Sequence, residues 1–521
     1  MCAAILNRVG SNRGSQGRVK MSAGRCGDDD RRGDDSLLTP GRNCYGIARA
    51  ERLACIIDAQ DYFRYAKTAM LSARHRIMLI GWDFDTRIEF EPDGQTVDGP
   101  NQLGAFLDWL PAQRPGLDIH LLKWSVGALT AITRGMAPIF LTNLRTNRHL
   151  HLEIDTRHPL RAAHHQKIVV IDDRVAFCGG IDMTVDRWDT PAHRDDEPHR
   201  TEPGGTPCGP WHDATTAVDG DAARLVGEVA RARWRSATGE DLPPVPDDEY
   251  DPWPAQLSPT LRDVDVAVAR TLPELGDQSE VREIEQLYLD VIRRARRRLY
   301  VESQYLAARS LAEAIAERLR EPDGPEVVVV LPRHADGWLE RKAMDGARKR
   351  LLHMLWEADQ HNRFRAYYPV TSAGEPIYVH AKVLVMDDVL LRVGSSNLNN
   401  RSLGLDSECD LAIEVTDADP RADEHRAGVL DVRDTLIAEH LDVTDEAWRA
   451  ALDRRGSLIA AIEDLRGSGK TLAAFDADTV EGESSPLAEN DLMDPESARG
   501  NPVLMRTIRF LAGRPLRRLR V

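Results

Sequence analysis

The 521-residue chain has no long apolar run. Its opening, MCAAILNRVGSNRGSQGRVK, is interrupted by Gly and Arg after a very short hydrophobic stretch, and no later segment reaches the roughly 18 uninterrupted apolar residues of a spanning helix. A secretory signal and a membrane span are both excluded on this reading, and a soluble or peripheral protein is expected. Paired cysteines are also missing. The seven that occur, Cys2, Cys26, Cys44, Cys55, Cys178, Cys208 and Cys409, are an odd number without metal-type spacing, which argues against a complete disulfide framework and for a reducing cytoplasm. Positive charge is in deficit: Lys and Arg total 68 against 84 Asp and Glu, for a formal net charge of -16. The surface as a whole repels polyanions, so a phosphate-bearing partner has to be gripped by a local positive site. Aromatic residues make up 6%, and no basic stripe is interleaved with them, which counts against nucleic acid as a partner.

What is present is the composition of a soluble globular chain, 42% hydrophobic and 29% charged. Its length calls for two or three domains. The chain is also written twice. In the first part, DAQDYFRYAKTAMLSA leads into RIMLIGWDFD, LGAFLDWL into LDIHLLKW, and HLHLEID into HHQKIVVID; PWHDATTAVDG and DAARLVGEVARARW follow. In the second, EVREIEQLYLDVIRRARR leads into RLYVESQYL, SLAEAIAERL into EVVVVLP, and ERKAMDGARKRLLHMLWEADQ into FRAYYPV; VHAKVLVMD and CDLAIEVTD follow. Amphipathic stretches alternating with short Val- and Ile-rich runs predict an α/β layered fold in two copies. The expected division is a disordered leader over 1–44, a first half over 45–240, a Pro- and acid-rich linker over 241–259, a second half over 260–450, and an acidic, loop-like segment with a basic tail over 451–521. Met21 is a possible alternative start.

Aligning the halves on His165 and His380 sharpens the repeat. His165 is followed by Lys167, Asp172 and Gly179, and His380 by Lys382, Asp387 and Gly394, at identical offsets. A lone His-x-Lys at the head of a strand is usually a solvated pair; duplication at fixed spacing points to a shared site. In a strand, residues two apart share a face, so each histidine looks the same way as its lysine, whereas Asp172 and Asp387 fall on the other face and are expected to brace the turn. Glycine-containing turns follow, FCGGIDMT and RVGSSNLNN, whose backbone N–H groups and small polar side chains suit a phosphate. His164, His165, His193, His199 and His212 also gather in sequence, but protonated lysine is a poor ligand and no spacing matches a hydrolytic metal motif. No metal and no cofactor is expected in the catalysis.

HHQKIVVIDDRVAFCGGID and HAKVLVMDDVLLRVGSSNLNNRS resemble the paired H-x-K-x4-D motifs of the phospholipase D superfamily, and LIGWDFD, GGIDMTVDRWDT, PWHD, YVESQYL and NNRSLGLDSECD resemble further signature stretches of its lipid-cleaving branch, over roughly Tyr45 to Leu441. The resemblance implies two homologous α/β/α halves related by a pseudo-two-fold, with both motifs in one pocket. It implies His165 as the nucleophile that forms a phosphohistidine and His380 as the acid that protonates the leaving alcohol and then activates the acceptor; the reverse order stays open. Lys167 and Lys382 would hold the non-bridging oxygens, helped by Asn397 and the Gly179, Gly180 and Ser395 turns. Asp189 and Glu408 resemble the family's carboxylates that orient the histidines, with Asp406 and Asp410 close enough to compete with Glu408.

The substrate expected first is a phospholipid, giving phosphatidic acid with water or a phosphatidyl alcohol with an alcohol. Cardiolipin-synthase-like transfer, nuclease or phosphodiesterase action on nucleic acid, and a non-catalytic membrane scaffold are the alternatives. LMRTIRFLAGRPLRRLRV, residues 504–521, carries arginines and no acid beside Leu, Ile and Phe, and reads either as a surface anchor for anionic lipid or as a tail docked on the protein's own acidic face. The expected location is the cytoplasm, or peripheral at the inner membrane face.

Overall fold

The computed structural model describes residues 36–124, 147–159, 161–336, 344–477, 480 and 494. The first half runs β1 (Gly46–Ile57), α1 (Ala59–Leu71), β2 (Arg76–Gly81), α2 (Leu103–Gln113), β3 (Asp118–Trp124), β4 (Leu150–Asp155), β5 (Ile168–Ile171), β6 (Val175–Gly179), β7 (Trp211–His212), β8 (Ala214–Asp219) and α3 (Gly220–Thr238). The second runs β9 (Leu261–Leu272), β10 (Val281–Arg282), α4 (Glu283–Arg294), β11 (Arg298–Glu302), α5 (Arg309–Arg320), β12 (Glu326–Val330), α6 (Gly346–Ala358), β13 (Phe364–Val370), β14 (Tyr378–Val379), β15 (Val383–Met386), β16 (Leu390–Gly394), β17 (Glu408–Glu414) and α7 (Ala422–Leu441). After it come α8 (Asp445–Arg455), α9 (Leu458–Leu465) and β18 (Thr471–Ala474).

Periodicity decides these elements. In α4 the buried positions are Glu283, Ile284, Leu287, Tyr288, Val291 and Ile292; from Ile284 on they form the stripe of a helix with one face inward. β5, β6, β15 and β16 are buried at every position, so they read as continuous apolar runs rather than as alternation.

Among the described residues, all strands but β7 and β14, which pair with each other, form one 16-stranded sheet, ordered β4-β3-β2-β5-β6-β8-β1-β9-β17-β16-β15-β11-β12-β13-β18 with β10 on β9. The order reads alike from both sides of its centre, β1 taking the place of β9, β2 of β11, β5 of β15 and β8 of β17. The two long opening strands pair antiparallel across the middle, Gly46 against Val268 and Leu53 against Leu261. Within each half β2–β3–β4 and β11–β12–β13 are parallel, and the motif strands β5 and β15 run antiparallel to β2 and β11. One face carries a core common to both halves, including Trp234 of α3 and Trp448 of α8. The opposite face carries two separate cores, one per half. No helix of the described residues is long and apolar enough to cross a membrane.

Two ends of the chain differ from expectation. Residues 36–44 are docked on the second half rather than forming part of a leader: Leu37 and Leu38 are buried in its core, the Leu37 and Leu38 N–H groups donate to Glu414, and Asn43 donates to Asp290 at 2.9 Å. Burial of two leucines and capture of their amides by one carboxylate explain the order. Nor is the stretch after Arg454 loop throughout. Leu458, Ile459 and Ile462 of α9 and Leu472 of β18 enter the common core, and β18 closes the edge at β13. The linker carries no helix or strand among its described residues, yet it is tied down by Trp253 in the first-half core and by the Tyr250 hydroxyl on Asp172. The tail 504–521 lies outside the described residues.

Candidate active site

The motif strands begin where the parallel strands end. Ile168 pairs with Ile80 and Val383 with Glu302, so the residues just before β5 and β15 sit at the carboxyl ends of β2 and β11, the side on which open α/β sheets place their ligands. Here each half is stitched to the other. The His165 N–H donates to the Ser407 carbonyl at 2.9 Å and the Ser407 N–H to the Ala163 carbonyl at 3.0 Å. On the other side β14 pairs with β7, Tyr378 against Trp211 and Val379 against His212, and the His380 N–H donates to the His212 carbonyl at 2.8 Å.

These crossings deliver a carboxylate from one half to the histidine of the other. Glu408, at the head of β17, lies 3.0 Å from His165 Nδ1 through either oxygen. Asp213, between β7 and β8, lies 2.7 Å from His380 Nδ1. A carboxylate on Nδ1 selects the tautomer and leaves Nε2 for chemistry. Burial, reinforced by Lys167 and Lys382, holds His165 well below the ordinary imidazole range. Burial also lowers His380, followed by Lys382, Arg187, Lys167 and His165 itself. Lys167 and Lys382 thus act on both rings.

The lysines differ. Lys167 Nζ pairs with Asp182 Oδ2 at 3.0 Å and donates to the His165 carbonyl at 3.1 Å. Lys382 donates to the His380 carbonyl, and no ion pair reaches it among the described residues. Its offset partner of Asp182 is Asn397, which donates to Gln304 at 3.3 Å while its Oδ1 has no hydrogen-bond partner. Burial brings the Lys382 ammonium down to about 7, against the pull of Asp213.

The motif aspartates face the backbone. Asp172 accepts from the N–H groups of Arg74, His75 and Arg76, and Asp387 from those of Arg296, Arg297 and Arg298. Each fastens the turn that launches β2 or β11, at positive φ of 51° and 52°.

A family model described as Phospholipase D matches residues 69–321, and one described as Cardiolipin synthase, PLD-like domain matches 288–425. The chain belongs to the phospholipase D superfamily. It is 25% identical to phospholipase D alpha 1 of Carica papaya over 73% of this chain and 64% of that protein, and 25% identical to the Nicotiana tabacum enzyme over the same shares. The chain thus spans 64% of the length of these plant relatives. Its fold resembles the crystal structure of phosphatidylserine synthase from Haemophilus influenzae Rd KW20, with a TM-score of 0.50 and 12% identity over 89% of this chain and 94% of that one.

In this phospholipase D superfamily chain the structure departs from the expected site at several residues. Asp189 is on neither His165 nor His380: it accepts from Arg200 at 3.0 Å and from the Trp211 N–H at 2.9 Å, and faces His193 Nδ1 at 3.0 Å. The carboxylate on His380 is Asp213. A signal for it existed, because β8 and β17 repeat one spacing, with Asp213 before Asp219 as Glu408 is before Glu414.

The glycine turns are closed to an anion as well. A Cβ on Gly180 would stand 2.1 Å from Asp213 Oδ1, and one on Gly179 2.3 Å from the Thr215 Cα. Their missing side chains admit protein atoms. The Gly180 N–H donates to Ala214 at 2.9 Å, the Ser395 N–H to Asp410 Oδ1 at 3.0 Å, and the Ser395 hydroxyl to Glu408 at 2.5 Å. Asp410 is taken by buried Arg392, and Asp406 by Arg401 and the Ala163 N–H. Of the other gathered histidines, His164 lies on Asp155 and Ser407, and His199 edges Trp188. Trp211, which sequence reasoning passed over, stacks on Tyr378 and tilts over His380 with ring centroids 5.1 Å apart.

Proposed function

We propose that the protein transfers the phosphatidyl group of a phospholipid to water or to an alcohol through a phosphohistidine on His165. The observation that carries this reading is the reciprocal pairing of His165 with Glu408 and His380 with Asp213, beside two buried lysines. The diester is a sluggish electrophile, and one ring cannot be base and acid at once. His165 Nε2 attacks phosphorus, the P–O bond to the headgroup breaks, and His380 Nε2 gives its proton to the departing alkoxide. His380 then takes a proton from the acceptor, whose oxygen attacks phosphorus as the P–N bond breaks. Burial keeps His165 neutral and nucleophilic. The entering anionic phosphate, held by Lys167 and Lys382, raises the proton affinity of His380 and so supplies the acid.

Relatives called phospholipase D alpha 1 support a phospholipid as substrate. A lipid alcohol as acceptor is the second reading, favoured by the cardiolipin synthase model over 288–425; it uses the same steps.

The test is incubation with mixed phospholipid vesicles and a primary alcohol, followed by lipid mass spectrometry. Phosphatidyl alcohol is expected; no lipid turnover alongside cleavage of DNA would refute the reading. In His380→Asn mixed with substrate, a base-stable, acid-labile phosphoramidate accumulates, and label on any residue other than His165 would overturn the assignment of the nucleophile.

A further inference from the structure

Behind His380 lies a second cluster that phosphoryl transfer does not use. Asp58 precedes α1, His193 lies in the loop after β6, His212 is in β7 and Glu439 is in α7, and one ligand atom of each falls within 4.8 Å of all the others. The Asp58, His193 and His212 side chains are fully buried, and that of Glu439 is 6% exposed. His193 Nε2 is 3.5 Å from Asp58 Oδ2 and 3.2 Å from Glu439 Oε1; His212 Nδ1 is 3.5 Å from Asp58 Oδ1 and 2.9 Å from the same Glu439 oxygen.

Those separations have a meaning. Zinc bonds to imidazole nitrogen and carboxylate oxygen run at about 2.0–2.2 Å, and a tetrahedron of such bonds has edges of about 3.3 Å. The two contacts of Glu439 Oε1, at 3.2 and 2.9 Å, and those of the Asp58 carboxylate, one from each oxygen at 3.5 Å, scatter around that edge. Asp58 Oδ2, though fully buried, has no hydrogen-bond partner and lies 3.5 Å from His193 Nε2.

The ring nitrogens turned away from the centre are each held by a further carboxylate. His193 Nδ1 meets Asp189 at 3.0 Å, and Arg200 fixes Asp189 in turn. His212 Nε2 meets Glu302 at 2.8 Å, and Tyr300 and His440 fix Glu302. Ligating histidines carry such partners almost without exception, because the carboxylate sets the tautomer that leaves the other nitrogen's lone pair for the metal.

We infer that Asp58, His193, His212 and Glu439 bind one divalent transition-metal ion, zinc by donor type, as a structural clamp between the halves. Three ligands come from the first half and Glu439 from the second. Two carboxylates and two neutral imidazoles balance the charge of the ion, which suits a closed, buried site. The ion would not touch phosphorus. It would position the general acid, since His212 accepts the His380 N–H through its carbonyl and Asp213 follows it in the chain. The role left open for Asp189 is filled by this site.

The competing occupant is a pair of protons, one on each ring, and metal analysis separates the two. The full chain, purified without a metal-affinity step, is expected to hold about one equivalent of zinc by elemental mass spectrometry. After chelation, added Co2+ should titrate to one equivalent with the visible absorption of a tetrahedral site, and the melting temperature lost on chelation should return with one equivalent of Zn2+. His193→Gln should retain less than about a tenth of an equivalent, Asp189→Asn should bind about 10–100-fold more weakly, and His165→Asn should keep its metal. Wild-type protein that melts cooperatively, holds less than a tenth of an equivalent and gives no cobalt spectrum would overturn the inference. So would a full equivalent in His193→Gln. If the variants fail to fold, the wild-type cobalt titration alone decides. None of these readouts depends on lipid turnover, so failure here leaves the proposed function untouched.

Discussion

Replacing Glu408 with glutamine keeps the shape of the side chain and removes its charge. The carboxyl is fully buried and pushed up to about 8, chiefly by burial, against the lowering by the Ser395 and Ser402 hydroxyls and Lys167. In the unfolded chain it returns to 4.5. A folded-state value raised above the unfolded one means that the protonated form favours folding. That contribution is fully present below pH 4.5 and is lost as pH rises through about 8. Its size is about 5 kcal/mol over the whole window, at about 1.4 kcal/mol per pH unit within it, an order-of-magnitude figure. Glutamine does not titrate. The stability of Glu408→Gln relative to its parent should therefore rise by several kcal/mol between pH 4 and pH 9, while turnover compared above pH 8, where the parent's Glu408 is ionised, should collapse because His165 loses its anionic partner. Urea unfolding of both proteins across that range measures the difference, and in the difference the titration of the remaining groups largely cancels. A relative stability that is flat with pH, or that falls on the alkaline side, would refute the claim that this carboxylate is held at a cost to the fold.

Asp213→Asn should show the same sign in a lower window, between 3.8 and about 6, and should cut kcat by about 10⁴-fold through loss of the His380 tautomer; Asp189→Asn, assayed as folded protein, should lose far less. Gly180→Ala drives a methyl into Asp213 Oδ1, so kcat should fall by about 10²-fold with KM little changed, and an unaltered kcat would show that the aspartate tolerates displacement. Asp387→Ala strands the N–H groups of Arg296, Arg297 and Arg298 and should cost about 2–4 kcal/mol in urea unfolding, with Asp387→Asn costing less; equal losses would mean that charge rather than acceptor geometry matters.

Much of the architecture was legible because the chain repeats itself. Strands as apolar as IVVI and VLVM, each before a turn at the same offset, announce two copies of one unit. The histidines and lysines were legible for the same reason. The carboxylates on the two histidines were harder to read, because each comes from the other half of the chain. Glu408 follows His380 in sequence yet serves His165, and Asp213 follows His165 yet serves His380. Asp189 was the nearer aspartate along the chain, but its loop turns toward Arg200 and His193. The glycines misled in a similar way: a small residue signals close approach, and here what approaches is a carboxylate of the protein. At the ends, Leu37 and Leu38 are too few to register as an element, and TLAA is too short to announce a strand until β13 offers it an edge.

The crossing of the acids bears on why the two halves form one sheet. Were each carboxylate supplied within its own half, a half could in principle hold a complete histidine, lysine and acid, and the seam would matter only for bringing two finished sites together. Here neither half holds a finished set. Part β1 from β9, and His165 loses Glu408 while Glu408 keeps only hydroxyl partners for a group that burial already disfavours as an anion; Asp213 and His380 suffer the same loss in mirror image. The common core containing Trp234 and Trp448 would be cut along the same line. Apolar burial holds the seam shut, and the closed seam gives each histidine its carboxylate. Assembly of the sheet and assembly of the two histidine–carboxylate pairs are thus one event.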